Sequence, residues 1–253
     1  MPPVPLAEIT RYLDGYLDTR RVPDYRNALN GLQVEGTEVV SRFAVAVDAR
    51  EAVIESVRDW ADLLIVHHGL FWGGLQPLTG PTFRRVRALI ESGTALYSAH
   101  LPLDGHPEVG NAAILARKLG VKDLLPFGEY EGFHVGCRGS VAGIALSDFA
   151  ARLSKVLNRR AQVLPGGPDP ISTVAIATGG GASLLAEAAA AEADVLVTGE
   201  AQHHHAIDAA ELGVTILLGG HYETETWGVR KIAEQLTGRF GIEGRFVDIP
   251  SGL

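Results

Sequence analysis

The sequence predicts an α/β protein made of two similar halves, each built on a mostly parallel or mixed sheet. Three observations lead there. Short apolar runs alternate with amphipathic or Ala-rich segments along the chain, as strands and their covering helices do in α/β architecture. The apolar runs are nearly continuous, which is the pattern of strands buried on both faces. Two stretches also repeat one another: Ala61-Asp62-Leu63-Leu64-Ile65-Val66 aligns with Ala193-Asp194-Val195-Leu196-Val197-Thr198, each after a helical segment.

In chain order, residues 6–20 read as a helix stopped by Pro23, 42–47 as a strand, 50–60 as a helix and 62–66 as a buried strand. Residues 82–92 read as a helix, 95–99 as a strand and 110–119 as a helix. The stretch 132–161 reads as strand, helix and short strand, with the loop Pro165-Gly166-Gly167-Pro168-Asp169-Pro170 as a boundary. Strands at 172–177, 194–198 and 214–218 then alternate with helices at 182–192, 203–212 and 224–237. The halves are placed at 1–125 and 126–253, with exchange of elements between them allowed.

Composition narrows the function. Of the 253 residues 46% are hydrophobic and 21% charged, which suits a globular chain and not a disordered one. The net charge of −8 and the lack of any Lys/Arg cluster longer than two residues argue against a nucleic-acid backbone or an anionic membrane as main partner. A nucleotide held through metal ions stays compatible, since a metal brings its own positive charge. Cys137 stands alone, so no internal disulfide is possible and a reducing compartment is expected. No signal-peptide pattern or membrane-length apolar run is present, so a cytoplasmic, soluble protein without a membrane partner is expected.

The candidate chemistry lies where strands end. His67-His68 follows Leu63–Val66, and two imidazoles leaving a buried strand end suit Zn, Fe or Ni. They equally suit a hydrogen-bonded turn. His100 and Asp104 frame Leu101-Pro102-Leu103, and Pro102 puts the acid on a loop, either as a metal ligand or as a cap of the next helix. His221 and Glu225 follow Gly219-Gly220, with Glu225 in the first turn of a helix; they can converge on one ion or complement the helix dipole. His-x-x-x-acid thus recurs after corresponding strands in the two halves. Together, His67, His68, Asp104, His221 and Glu225 are the candidate ligands, and the halves are expected to face each other across a dinuclear site.

These residues carry a resemblance. The segments LLIVHHGLFW, YSAHLPLD, VTGEAQHHHAIDA and GGHYETE resemble the NGG-interacting-factor-three-like (Nif-three-like) dinuclear-metal-centre hexameric proteins, a family also called GTP cyclohydrolase I type 2. The resemblance runs from Asn30-Gly31-Leu32-Gln33 to the C-terminal helix. It implies the same five ligands, two facing α/β halves and a homohexamer, in the short form without an inserted domain. The chain departs from the family in Leu101-Pro102-Leu103, where a Thr and small polar residues are usual. It departs again in Glu200-Ala201-Gln202-His203-His204, which lacks the family's Lys.

A bound pair of divalent ions (Zn, Fe, Mn, Co or Ni) would support metal-assisted hydrolysis of a small phosphorylated, nucleotide-like or cyclic amide substrate. His100 or His204 would then serve as acid or base. The alternative is a non-catalytic metal scaffold or chaperone for partner proteins. Gly179-Gly180-Gly181 reads as a tight turn or a phosphate cradle. Asn30 and Gln33 can direct amides toward the site, or Asn30 can stabilise a turn. His106, His134 and Cys137 are read as structural or surface residues.

Overall fold

The computed structural model describes residues 2–253, and its elements run as follows. First come β1 (Val4–Pro5), α1 (Leu6–Tyr16), β2 (Gly31–Val34), β3 (Val39–Val40), β4 (Arg42–Asp48), α2 (Glu51–Val57), β5 (Leu63–His68), α3 (Gly80–Ser92), β6 (Ala95–Ser98) and α4 (Leu101–Asp104). Then follow α5 (Asn111–Leu119), β7 (Lys122–Tyr130), β8 (Phe133–Ile144), α6 (Leu146–Leu157), β9 (Gln162–Leu164), β10 (Ile171–Ile176), α7 (Leu185–Ala190) and β11 (Val195–Thr198). The chain ends with α8 (His203–Leu212), β12 (Thr215–Leu218), α9 (His221–Thr224), α10 (Thr226–Phe240) and β13 (Glu243–Phe246). Among the described residues no helix is long and apolar enough to cross a membrane.

Contacts divide the chain into two units. One holds residues up to Leu103 together with Gly228–Ile249; the other holds Asp104–Trp227 and Pro250–Leu253. The expected division at 125/126 therefore falls elsewhere, because α5 and the start of β7 belong with the second unit, while most of α10 and β13 return to the first. The Pro165–Pro170 loop joins β9 to β10 inside the second unit rather than marking a boundary.

The first unit carries a five-stranded sheet in the order β13-β4-β5-β6-β2. The first four strands are parallel and β2 is an antiparallel edge. Side chains alternate between its faces. Ala44, Ala46, Leu64 and Val66 pack with Val53 and Ile54 of α2 and Leu89 of α3. The intervening Phe43, Val45, Ile65 and Tyr97 are equally buried. On that face the Tyr97 hydroxyl donates to Asp14 of α1 at 2.9 Å.

The second unit carries a six-stranded mixed sheet, β7-β8-β10-β11-β12-β9, whose β10, β11 and β12 are parallel. Val174, Val195, Val197 and Leu217 form one core with α5 and α6. Ala175, Leu196 and Ile216 form another with α7 and α8. Continuous apolar strands are what such double coverage requires.

The internal repeat extends to backbone detail. Asp62 Oδ2 accepts the N–H groups of Ser41 (2.7 Å) and Arg42 (3.0 Å), ahead of β4. Asp194 Oδ2 accepts those of Ser172 (2.6 Å) and Thr173 (2.9 Å), at the start of β10. Strand register then corrects one feature of the expected repeat. Val66 pairs with Ser98 and Thr198 pairs with Leu218, so aligning Val66 with Thr198 places His100 opposite Gly220 and Leu101 opposite His221. The two His-x-x-x-acid tails are thus displaced by one residue. α4 and α9 are the corresponding elements.

Other local expectations also change. His67 and His68 belong to β5, where His68 pairs with Asp48, rather than to a loop beyond it. Asp104 ends the short helix α4, because a proline in a first turn forfeits no intrahelical hydrogen bond. α1 ends at Tyr16, ahead of Asp18 with its positive φ of 51°. The 182–192 helix is a 3₁₀ turn followed by α7, and the last helix is divided into α9 and α10.

The paired aspartates yield a stability test. Asp62→Ala and Asp194→Ala should each cost about 1–2 kcal/mol in denaturant unfolding, since each frees two backbone donors at a strand start. A loss under about 0.3 kcal/mol in both would deny them this role.

Candidate metal centre

In the first unit three imidazoles come together at strand ends. His67 is fully buried, and its Nδ1 donates to the Ala99 carbonyl at 3.0 Å. His68 Nδ1 lies 2.9 Å from Asp48 Oδ1, its neighbour on the parallel strand β4. His100, just beyond β6, has its Nδ1 2.8 Å from Asp24 Oδ1. One ring nitrogen of each of the three lies within 4.8 Å of the others. An acceptor at Nδ1 keeps the proton there and leaves the lone pair on Nε2, which is how ligating histidines are prepared. Trp72 stands edge-on to His100 with ring centroids 4.6 Å apart, and Tyr25 lies 5.7 Å from the same ring.

The Asp24 carboxyl is held below its ordinary value. Burial pushes it up, but its interaction with His100, then the hydrogen bonds from Asn30 and the Leu101 N–H, outweigh that penalty. Asn30 thus supports the site: its Oδ1 accepts the His100 N–H and its Nδ2 donates to Asp24, both at 2.8 Å. Gln33 is used elsewhere, with its Oε1 accepting the Leu70 N–H and its Nε2 donating to the Ala28 and Leu29 carbonyls.

In the second unit Asp104 and Glu225 are only 6% and 2% exposed, and a carboxylate oxygen of each lies within 4.8 Å of the other. Asp104 Oδ1 accepts from Asn111 Nδ2 (2.9 Å) and Thr178 Oγ1 (3.1 Å). His221 opens α9, with Nε2 3.2 Å from Glu225 and Nδ1 3.1 Å from Glu200. The hydrogen bond with Glu225, aided by its charge and by Glu200, pushes the His221 imidazole up to about 9 against the effect of burial. Two buried carboxylates beside an imidazole form a donor set suited to a divalent cation.

Gly179 belongs to this cluster. Its φ is +59°, and a Cβ there would lie 2.0 Å from Glu225 Oε1 and 3.2 Å from His221 Nε2. Its carbonyl also accepts the Gly199 and Glu200 N–H groups. Of the two readings of Gly179-Gly180-Gly181, the geometry favours a tight turn that lets the backbone approach the carboxylate.

His204 does not join these groups. It is exposed on the first turn of α8, its ring 4.0 Å from that of His205, because successive helical residues fan around the axis. His205 Nδ1 accepts the Gln202 N–H in a capping box. His106 Nδ1 accepts the N–H groups of Glu108 and Val109 in a turn. Cys137 is buried, which pushes its thiol up to about 12 and makes it a packing residue. The sequence reading missed Asp24, Asp48, Asn111 and Thr178, and named Glu200 without giving it a part in the site. Asp48 alone carried a usable signal, as a polar residue directly ending an apolar strand.

Comparison with known proteins places this geometry in context. The family described as Duf34/NIF3 (NGG1p interacting factor 3) matches residues 4–251. A Deinococcus radiodurans protein named GTP cyclohydrolase 1 type 2 homolog is 44% identical over 97% of this chain and 94% of its own length. A protein of the same name from Halobacterium salinarum is 46% identical over 94% of this chain and 96% of its own. The crystal structure of TTHA1606 from Thermus thermophilus superposes with a TM-score of 0.91 at 41% identity, covering 99% of this chain and all of that one.

The second unit supplies two tests. Gly179→Ala should displace the Glu225 carboxylate and lower zinc affinity at least about tenfold by titration calorimetry; unchanged affinity would free Glu225 from the role of ligand. In metal-free protein His221 should titrate near 9 by histidine NMR, and nearer the ordinary 6.5 in Glu225→Gln. A raised folded pKa stabilises fully below about 6.5 and is lost as pH rises through about 9. Metal uptake at pH 7 should accordingly release a proton, and wild-type titration near 6.5 would contradict the coupling.

Proposed function

The chain belongs to the Duf34/NIF3 family, and from that premise we propose that it is a metal-dependent hydrolase holding two divalent ions. The ligands are His67, His68, Asp104, His221 and Glu225. The observation that carries this reading is the pairing of two buried carboxylates, Asp104 and Glu225, with oxygens within 4.8 Å. The imidazoles held at Nδ1 support it, because they keep Nε2 available as a donor atom. Mixed imidazole and carboxylate donors suit Zn, Fe, Mn, Co or Ni.

When bound, such ions lower the pKa of water toward ~7 and polarise a substrate oxygen. His100 supplies the proton-transfer group. Its Nδ1 proton is committed to Asp24, so Nε2 is the atom that accepts and returns a proton during hydrolysis. His204 has no part in this scheme. Trp72 and Tyr25, beside His100, give substrate an aromatic wall and limit water around that imidazole.

The substrate class proposed is a small phosphorylated, nucleotide-like or cyclic amide compound. The name of the relatives, GTP cyclohydrolase 1 type 2 homolog, favours nucleotides within that class. The homohexamer implied by the sequence resemblance is part of the same proposal and can be checked by analytical ultracentrifugation.

Protein purified without chelator or affinity metal should carry about two transition-metal ions per chain by elemental analysis. His67→Ala and Glu225→Ala should lower that content. His100→Ala should retain metal and lose at least about 100-fold in hydrolysis of whichever substrate a phosphoester, nucleotide and cyclic-amide panel identifies. Full metal content with no turnover across the panel would replace the hydrolase with a non-catalytic metal scaffold. Metal content indifferent to both ligand substitutions would remove the centre itself.

A further inference from the structure

We propose that Asp24 is a positioning residue of the metal centre, fixing the His100 proton on Nδ1 so that Nε2 presents its lone pair to the cluster with His67 and His68. The inference rests on the metal-binding reading above and adds a residue to it.

Asp24 lies in the irregular segment between α1 and β2, yet its side chain is only 6% exposed. Oδ1 accepts the Tyr25 N–H at 2.7 Å and the His100 Nδ1–H at 2.8 Å. Oδ2 accepts from Asn30 Nδ2 at 2.8 Å and from the Leu101 N–H at 2.9 Å. A carboxylate has about four acceptor sites, so this one is filled and cannot rotate. All of its partners are donors, which leaves the His100 ring one compatible tautomer there.

The same short segment also grips the His100 backbone. Asn30 Oδ1 accepts the His100 N–H at 2.8 Å, so the amide that donates to Asp24 is itself oriented. Ring and main chain of His100 are therefore held from one loop. A purely structural carboxylate would need only the Tyr25, Asn30 and Leu101 donors. The fourth bond, to the imidazole, is what assigns Asp24 a part in the centre. His68 has a comparable arrangement with Asp48, and His67 with the Ala99 carbonyl, so all three imidazoles are prepared alike.

Asp24→Asn is the discriminating change. A carboxamide has one acceptor oxygen and one donor nitrogen, and it cannot serve donors on both sides. With its oxygen toward Asn30 and Leu101, its NH₂ faces His100 Nδ1 and drives the ring proton to Nε2. The test uses full-length protein with ¹⁵N-labelled histidine, first metal-free and then titrated with zinc.

Wild type should show His100 with its proton on Nδ1. Asp24→Asn should move that proton to Nε2 and leave the His67 and His68 signals in place, with zinc still bound, because His100 is the proton-transfer group and not a ligand. A structural residue would change the melting temperature without moving the tautomer. Wild-type His100 protonated on Nε2 overturns the proposal, and that reading needs no variant to fold. So does Asp24→Asn that keeps the His67 and His68 signals and leaves the His100 proton on Nδ1. Wild type that binds no zinc overturns instead the metal reading beneath it.

Discussion

Asp104 and Glu225 bring two carboxylates into the interior of one unit with their oxygens within 4.8 Å, and much of the nearby structure answers that constraint. Burying an ion costs several kcal/mol, on the order of that for each carboxylate here, unless charge and hydrogen bonds offset it. Asn111 and Thr178 donate to Asp104, and His221 pairs with Glu225. Gly179 has no side chain because the Glu225 carboxylate fills the space where one would lie. The result is a buried set of oxygen and imidazole donors, the chemistry a divalent cation satisfies.

The imidazoles meet the complementary requirement, a lone pair pointed in a fixed direction. Each of His67, His68 and His100 has an acceptor at Nδ1, and the acceptors come from different parts of the first unit: a carbonyl after β6, the end of β4, and the loop after α1. The parallel sheet makes this economical. Neighbouring parallel strands end side by side, so Asp48 and His68 meet through strand register alone. The same wiring gives the second unit its Asp194 brace and its Gly179 carbonyl, which ties the end of β10 to the start of the loop after β11.

The architecture was legible wherever burial left a continuous apolar run, as at Leu63–Val66 or Val195–Thr198. It was not legible in β7, where exposed Lys122, Asp123, Leu125 and Glu129 interrupt the apolar pattern around the buried Phe127 and a register shift falls between Lys122 and Leu125. Pro102 argued against α4, yet a first-turn proline removes no intrahelical hydrogen bond. The candidate ligands could be read because they cluster just past apolar strands. Asp24 could not, since it lies in irregular chain 76 positions from His100 and only the folded loop joins them. The one-residue displacement of the His-x-x-x-acid tails was hidden likewise, because strand pairing sets that register and spacing within each segment does not.

Anomalous diffraction from crystals of protein purified without chelator tests the central claim most directly. The account predicts peaks at a transition-metal absorption edge about 2.0–2.2 Å from Nε2 of His67 and of His68, and from carboxylate oxygens of Asp104 and Glu225. Maps with no anomalous signal at these atoms, from crystals soaked in zinc at neutral pH, would contradict it and leave the buried carboxylates balanced by protons alone.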